Sequence, residues 1–456
     1  MPSLLRALWG RGSTPDLASL LAVHTLDNPD FWNFDPSPAR SGGHAFFQYP
    51  AMMVPELQGT LLDDLRLADP SVELIYDPFM GSGTVMLESL YRGLGFHGSD
   101  INPMAVLLSH VKSNPPSGEI ATAAVSQVVQ DARARSSVAL LEFPNRKKWF
   151  QPSVATDLTR LRCAIQDIPD LEVRRFLWVC MAETVRLVSN SRTSTFKLHV
   201  YSPDVAASRH PEALDVFNSV GKANARHTAE HWARVVSSYG GGGVSTSATI
   251  TLLRGGVEEL WSAPRKVDAL MTSPPYGDNR TTVPYGQHSY LPLRWIDSAD
   301  LVGTFDADLL STTARIDSLS LGGSLLGADG ARAHLELSAP SLKEFLFVLG
   351  AKPTLRKKVL SFVRDYELAL KASSERLKPC GYSFWTLGER RVNQQTMPLV
   401  SITRELLESF GHSHVSTITR VLPLGRKRMA GRNSLGDTMA TEQILVMQKD
   451  ASSDSD

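Results

Sequence analysis

Cysteine is scarce in this 456-residue chain: there are three, at 163, 180 and 380, and no two form a C-x-x-C pair. That spacing excludes a disulfide framework and a cysteine-ligated zinc site, so no metal is expected, and it suits a reducing, cytoplasmic compartment. A surplus of charge is missing too. Lysine plus arginine number 47 and aspartate plus glutamate 47, so no global field draws the chain to nucleic acid, and any such attraction has to come from local patches. No apolar run reaches the length of a membrane span, and the stretch from Met1 to Gly10 is too short and too interrupted by charge for a signal peptide. No membrane partner is expected. The chain does have length, enough for a sizeable core and at least one appended domain.

Against that background two segments stand out. The run Val267-Asp268-Ala269-Leu270-Met271-Thr272 reads as a buried strand, and it stops abruptly at Ser273-Pro274-Pro275-Tyr276. Two consecutive prolines fix φ and remove two backbone donors, which leaves the strand's last carbonyls without ladder partners. The result is either an ordinary turn or a rigid rim carrying free acceptors, a hydroxyl and a ring face. Such a rim suits an exocyclic amino group on a flat base: the Ser273 hydroxyl and the Pro274 carbonyl accept its two N–H bonds while Tyr276 stacks on the ring.

The second segment is Tyr76-Asp77-Pro78-Phe79-Met80-Gly81-Ser82-Gly83-Thr84, between the mostly apolar run Val72 to Ile75 and a helix-like stretch, Val85 to Tyr91. Strand, glycine turn and helix form the ligand end of a doubly wound sheet. Gly81 and Gly83 let the backbone approach a ligand closely. The third glycine of a dinucleotide fingerprint and the Gly-Lys-Ser/Thr of a phosphate loop are both missing. A second strand, Gly95 to Asp100, ends on an acid about 20 residues after the glycines, where a carboxylate accepts hydrogen bonds from ribose hydroxyls.

Asp77-Pro78-Phe79-x-Gly81-Ser82-Gly83-Thr84, then Asp100-Ile101-Asn102-Pro103, then Thr272-Ser273-Pro274-Pro275-Tyr276, in that order, resemble the amino-methyltransferases of DNA. His44-Ala45-Phe46-Phe47-Gln48-Tyr49-Pro50-Ala51 is similar to that family's N-terminal cofactor element, with Met52 where the pattern has lysine. Gly277 to Gln287, and the stretch from Leu377 through Gly388-Glu389-Arg390-Arg391-Val392 to Met429, resemble a cytosine-N4 subgroup. The resemblance covers most of residues 41 to 449. It implies S-adenosyl-L-methionine as cofactor, duplex DNA as substrate, a flipped target base, and a separate cognate restriction endonuclease as partner. It implies cofactor contacts from His44, Tyr49, Pro50, Asp77, Pro78, Phe79, Gly81, Ser82, Gly83, Thr84, Asp100, Ile101, Asn102 and Pro103, and a catalytic Ser273-Pro274-Pro275-Tyr276. Core packing is the other role open to Tyr49, Phe79 and His44. Serine where most adenine-N6 enzymes carry aspartate points to cytosine N4. Adenine N6, an RNA base and a non-catalytic DNA-binding role are the alternatives.

The implied fold is α/β: a doubly wound, mostly parallel, seven-stranded methyltransferase sheet with an antiparallel last strand and a largely helical insertion. Residues 1 to 40 read as an arm and 41 to 111 as the cofactor half. Residues 112 to 246 form the insertion and candidate target-recognition region, 247 to 449 the catalytic half and 450 to 456 a disordered tail. Gly240 to Gly243 is a return linker, and residues 277 to 345 are turn-rich loops that share the DNA-reading role. Candidate DNA contacts are Arg192 and Lys197, from the hydroxyl-rich patch after an insertion helix, with Arg280 and Arg426-Lys427-Arg428. A helix cap with a solvated turn is the other reading of that patch. Arg146-Lys147-Lys148 and Arg356-Lys357-Lys358 are two further basic runs, and Cys380, far from the Ser-Pro-Pro-Tyr site, is read as structural.

Overall fold

In a computed structural model the described residues are 15–35, 39–238, 248–252, 266–277, 283–388, 390–422 and 441–451. Arg280, Arg426, Lys427, Arg428, the 240–243 linker and residues 452–456 lie outside them. The sheet strands are β1 (Leu74–Asp77), β2 (Gly95–Asp100), β3 (Ala248–Leu252), β4 (Val267–Thr272), β5 (Leu377–Gly388), β6 (His412–Val421) and β7 (Thr441–Lys449). They lie in the spatial order β3-β2-β1-β4-β5-β7-β6. Six run in one direction; β7 is antiparallel to both neighbours, β5 and β6.

Strand periodicity sorts the core into two layers. On one face Leu74, Tyr76, Leu270 and Trp385 pack under α10 (Pro353–Arg376) and α11 (Leu399–Ser409). Their immediate neighbours Ile75, Ala269, Met271 and Phe384 face the other way, onto α2 (Pro55–Ala68) and α3 (Thr84–Leu90). Successive side chains alternate across a strand, so a sheet covered on both faces needs apolar residues at nearly every position. The chain winds outward from β1 to β3 and then returns to place β4 on the other side of β1. That reversal opens a crevice beyond the carboxyl ends of β1 and β4.

The insertion supplies a separate helical core from α5 (Gly118–Ala134), α6 (Pro152–Gln166), α7 (Leu171–Val188) and α8 (Ala213–Ser238), packed against α4 (Pro103–Ser113). The 277–345 stretch departs from the loops expected of it. It contains α9 (Tyr285–Trp295), whose Leu291, Leu293 and Trp295 are buried in the insertion core. Gly286 and Pro292 within α9 hid the helix, because both residues disfavour helix interiors. Short helices Arg332–Ser338 and Pro340–Val348 follow. At the amino end, α1 (Leu17–Asp27) and Trp32 pack on α2 and the sheet core, so described residues of the expected arm belong to the body. Asp450 is also tied down, its amide donating to the Gly411 carbonyl at 2.9 Å. Cys380 stands exposed within β5 at φ 61°, where the β4–β5 register shifts.

Candidate active site

The crevice is an open cleft of about 890 Å³, a volume that takes in the solvent at its opening. Twelve of the expected site residues line it: Tyr49, Pro50, Pro78, Phe79, Gly81, Ser82, Thr84, Asp100, Ile101, Asn102, Ser273 and Pro275. The glycine turn owes its shape to left-handed backbone at Gly81 (φ 48°) and Gly83 (φ 72°), conformations in which a Cβ costs energy. A Cβ on Gly83 would also sit 2.8 Å from the Ser109 hydroxyl. Asp100 clamps the turn from the next strand: one carboxylate oxygen accepts the Gly81 amide at 2.9 Å and the other the Asn102 amide at 2.8 Å. Burial pushes the Asp100 carboxyl up to about 6, against the pull of those amides.

Asn102 caps α4 through the Met104 amide (3.1 Å), and its side-chain amide donates to the hydroxyls of Tyr49 (3.0 Å) and Ser289 (2.8 Å). Tyr49 and Tyr285 stack at 5.8 Å, which joins the N-terminal element to α9 across the cleft wall. Beneath the turn lies Lys112. It is buried, donates to the Ser82 carbonyl at 2.8 Å, and is pulled down to about 7, chiefly by desolvation.

Asp77, Gly83, Pro103, Pro274, Tyr276 and His44 do not form the cleft wall. Asp77 is fully buried behind it: one oxygen accepts the Thr272 hydroxyl at 2.5 Å and the Phe79 amide at 3.0 Å. Desolvation raises its carboxyl to about 7. It therefore locks the tip of β1 to the tip of β4. His44 is turned away onto Glu88 at 2.8 Å, in a polar cluster with Tyr91 and His231 at the insertion's last helix, and burial lowers its pKa. The Tyr276 ring packs against the core under α10. Its hydroxyl lies 3.3 Å from the Ser273 hydroxyl and donates to Glu442 at 2.8 Å.

The hydroxyl-rich patch after α7 lines a second hollow of about 420 Å³ with Ser189, Ser191, Arg192, Thr193, Phe196 and Lys197. The Leu198 amide donates to the Gln287 side chain at 2.9 Å, and His288 pairs with the Gln48 carbonyl at 3.1 Å. Gln48 adjoins Tyr49 and Pro50, so the two hollows share a wall. Arg186 is held by Glu183, whereas Arg192 and Lys197 have no ion-pair partner among the described residues. Of the other basic runs, Arg146 is buried on Glu142 and Arg356 donates to the Leu346 carbonyl, so both have structural partners.

No family model matches the chain. Over an alignment of 457 positions it is 28% identical to the type II methyltransferase M.MvaI of Kocuria varians, covering 95% of this chain and 96% of the relative. The likeness is to a methyltransferase. Among solved structures, the rRNA methyltransferase aviRa of Streptomyces viridochromogenes aligns over 88% of this chain and 86% of its own, at 11% identity and a TM-score of 0.31, too slight to bear on fold or function.

Similarity along nearly the whole of both chains supports a methyltransferase with S-adenosylmethionine as its cofactor. The cleft fits that group. It presents a carboxylate, Asp100, beside the glycine turn at Gly81, together with apolar surface from Phe79, Ile101, Met52 and Met53. Among the described residues no cluster could hold a metal ion, and no helix is long and apolar enough to cross a membrane. Sequence reasoning did not find Lys112, Tyr285, Ser289 or Glu442. Their partners lie 30, 236, 187 and 166 positions away along the chain, and no local pattern marks such contacts.

Proposed function

We propose that this chain is a site-specific DNA methyltransferase acting on the exocyclic N4 amino group of a flipped cytosine in duplex DNA, as the modification partner of a restriction system. The observation that carries the reading is that Ser273 and Pro275 line the same cleft as Asp100 and the Gly81 turn. On this reading the Ser273 acceptor and the cofactor share one cleft. The type II relative supports the choice of DNA.

When bound, the cofactor supplies an electrophilic methyl group on a sulfonium. The exocyclic nitrogen of cytosine is a poor nucleophile because its lone pair is delocalised into the ring. Ser273 Oγ, which lines the cleft, accepts an amino hydrogen, which favours a pyramidal nitrogen and offsets the charge that develops on it. The proton leaves to water after transfer, and no covalent enzyme intermediate is needed. A stacked base cannot reach the cleft, so the target is extruded from the duplex. Arg192 and Lys197, in the adjoining hollow, contact the DNA backbone. Neutral serine at the rim, rather than aspartate, favours cytosine over adenine.

The test is transfer of labelled methyl from S-adenosylmethionine by the purified chain to unmethylated duplex DNA and, in parallel, to RNA. Incorporation into DNA alone is expected, with turnover falling on the order of 10²-fold or more in Ser273→Ala. Incorporation into RNA alone would remove the substrate assignment.

A further inference from the structure

We propose that Glu442 is a positioning residue: through the Tyr276 hydroxyl it fixes the direction of a hydrogen-bond chain that leaves Ser273 presenting lone pairs to the target amino group. The proposal rests on the reading of Ser273 as acceptor and adds how that acceptor is oriented.

Ser273 by itself is an ambiguous group. Its hydroxyl both donates and accepts, and rotation about the C–O bond decides which face the cleft meets. A serine that donates into the cleft would oppose an amino group, which also donates. The structure removes the ambiguity from the far end of a chain of contacts. Glu442 lies at the start of β7, opposite Gly388 of β5 and Arg420 of β6 in the strand register. Its Oε1 accepts the Tyr276 hydroxyl at 2.8 Å, and its Oε2 lies 3.6 Å from Nη1 of Arg420, a fully buried guanidinium.

An ionised carboxylate accepts and cannot donate, and a guanidinium cannot accept. The Tyr276 hydroxyl donates to Glu442 Oε1, so its proton points at Glu442. The Tyr276 oxygen is then left to accept, and the group in reach is the Ser273 hydroxyl at 3.3 Å. The serine proton is thereby committed to Tyr276, and the serine lone pairs face the cleft that Ser273 lines. The polarity runs one way, from substrate N–H to serine, serine to tyrosine and tyrosine to glutamate.

Glu442→Gln tests this with almost no change of shape. The amide nitrogen can donate to Tyr276, which turns the chain round and lets serine donate into the cleft. With duplex DNA and S-adenosylmethionine, kcat should fall about tenfold or more, a milder loss than deleting the acceptor outright. KM for the cofactor should stay near wild type. Tyr276→Phe, which keeps the ring and loses the link, should give the same split, and it carries the test should Glu442→Gln fail to fold.

The decisive readout is a double-mutant cycle, because groups acting through one another are not additive. In a Ser273→Ala background, Glu442→Gln should cost nothing further. Equal losses in both backgrounds, or wild-type kcat in Glu442→Gln beside a crippled Ser273→Ala, would overturn this proposal alone. Full turnover by Ser273→Ala would overturn the reading of the site and this proposal with it.

Discussion

Replacing Asp100 with asparagine is a change of one atom at the point where the cofactor half of the cleft is held together. Both carboxylate oxygens already accept a backbone amide, Gly81 at 2.9 Å and Asn102 at 2.8 Å, so the group cannot rotate to accommodate a donor. Whichever way the new amide is placed, its NH2 faces a backbone N–H. The glycine turn loses its clamp and the ribose hydroxyls lose a charged acceptor. Hydrogen bonds to a charged group contribute about 1.5–3 kcal/mol each, so loss of one or two predicts a roughly 100-fold weaker Kd for S-adenosylmethionine, read by calorimetry. The pH dependence sharpens the test. With the carboxyl raised from 3.8 to about 6, affinity should be flat above that value and fall below it as the acceptor is protonated. The same shift runs the other way in folding: this group's stabilising contribution is present below 3.8 and is lost as pH rises through about 6. Cofactor affinity and the stabilisation from Asp100 therefore change in opposite directions across one window, and Asp100→Asn should flatten both. A Kd within about threefold of wild type, a shift under ~1 kcal/mol, would refute the reasoning.

Three further outcomes follow from the same contacts. Thr272→Val leaves the buried Asp77 oxygen without its 2.5 Å partner and should lower stability by about 1–3 kcal/mol in denaturant unfolding, with the loss growing above pH 7, where Asp77 is ionised. Gly83→Ala should cost roughly 1–2 kcal/mol from left-handed backbone and, because the Cβ meets Ser109, should also weaken cofactor binding. Lys112 has its folded pKa pulled from 10.5 to about 7, so folding becomes more favourable as pH rises between those values. Melting temperatures of Lys112→Met across that range should lack the rise.

Much of the scaffold is legible locally. The three-to-four spacing of Val359, Phe362, Val363, Tyr366 and Leu370 announces α10. Apolar runs ending on Asp77 and Thr272 mark β1 and β4, since central parallel strands are buried on both faces. Helix α9 was hidden, because its stability comes from burying Leu291 and Trp295 in a core built by the insertion, which overrides local propensity. Burial itself is invisible in a motif. Asp77 and Asp100 each end a strand, yet one is sealed against Thr272 while the other lines the cleft. The same holds for Tyr276: in sequence it offers a ring, and in the fold its hydroxyl is committed to Glu442 across 166 residues.

The chemical product tests the base and the substrate together. Genomic DNA from a methylation-free host expressing the chain, digested to nucleosides and analysed by mass spectrometry, should contain N4-methylcytosine, and DNA from cells expressing Ser273→Ala should contain far less. N6-methyladenine in its place would contradict the base assignment drawn from Ser273, and DNA with no modified base beside methylated RNA would contradict the account of the substrate.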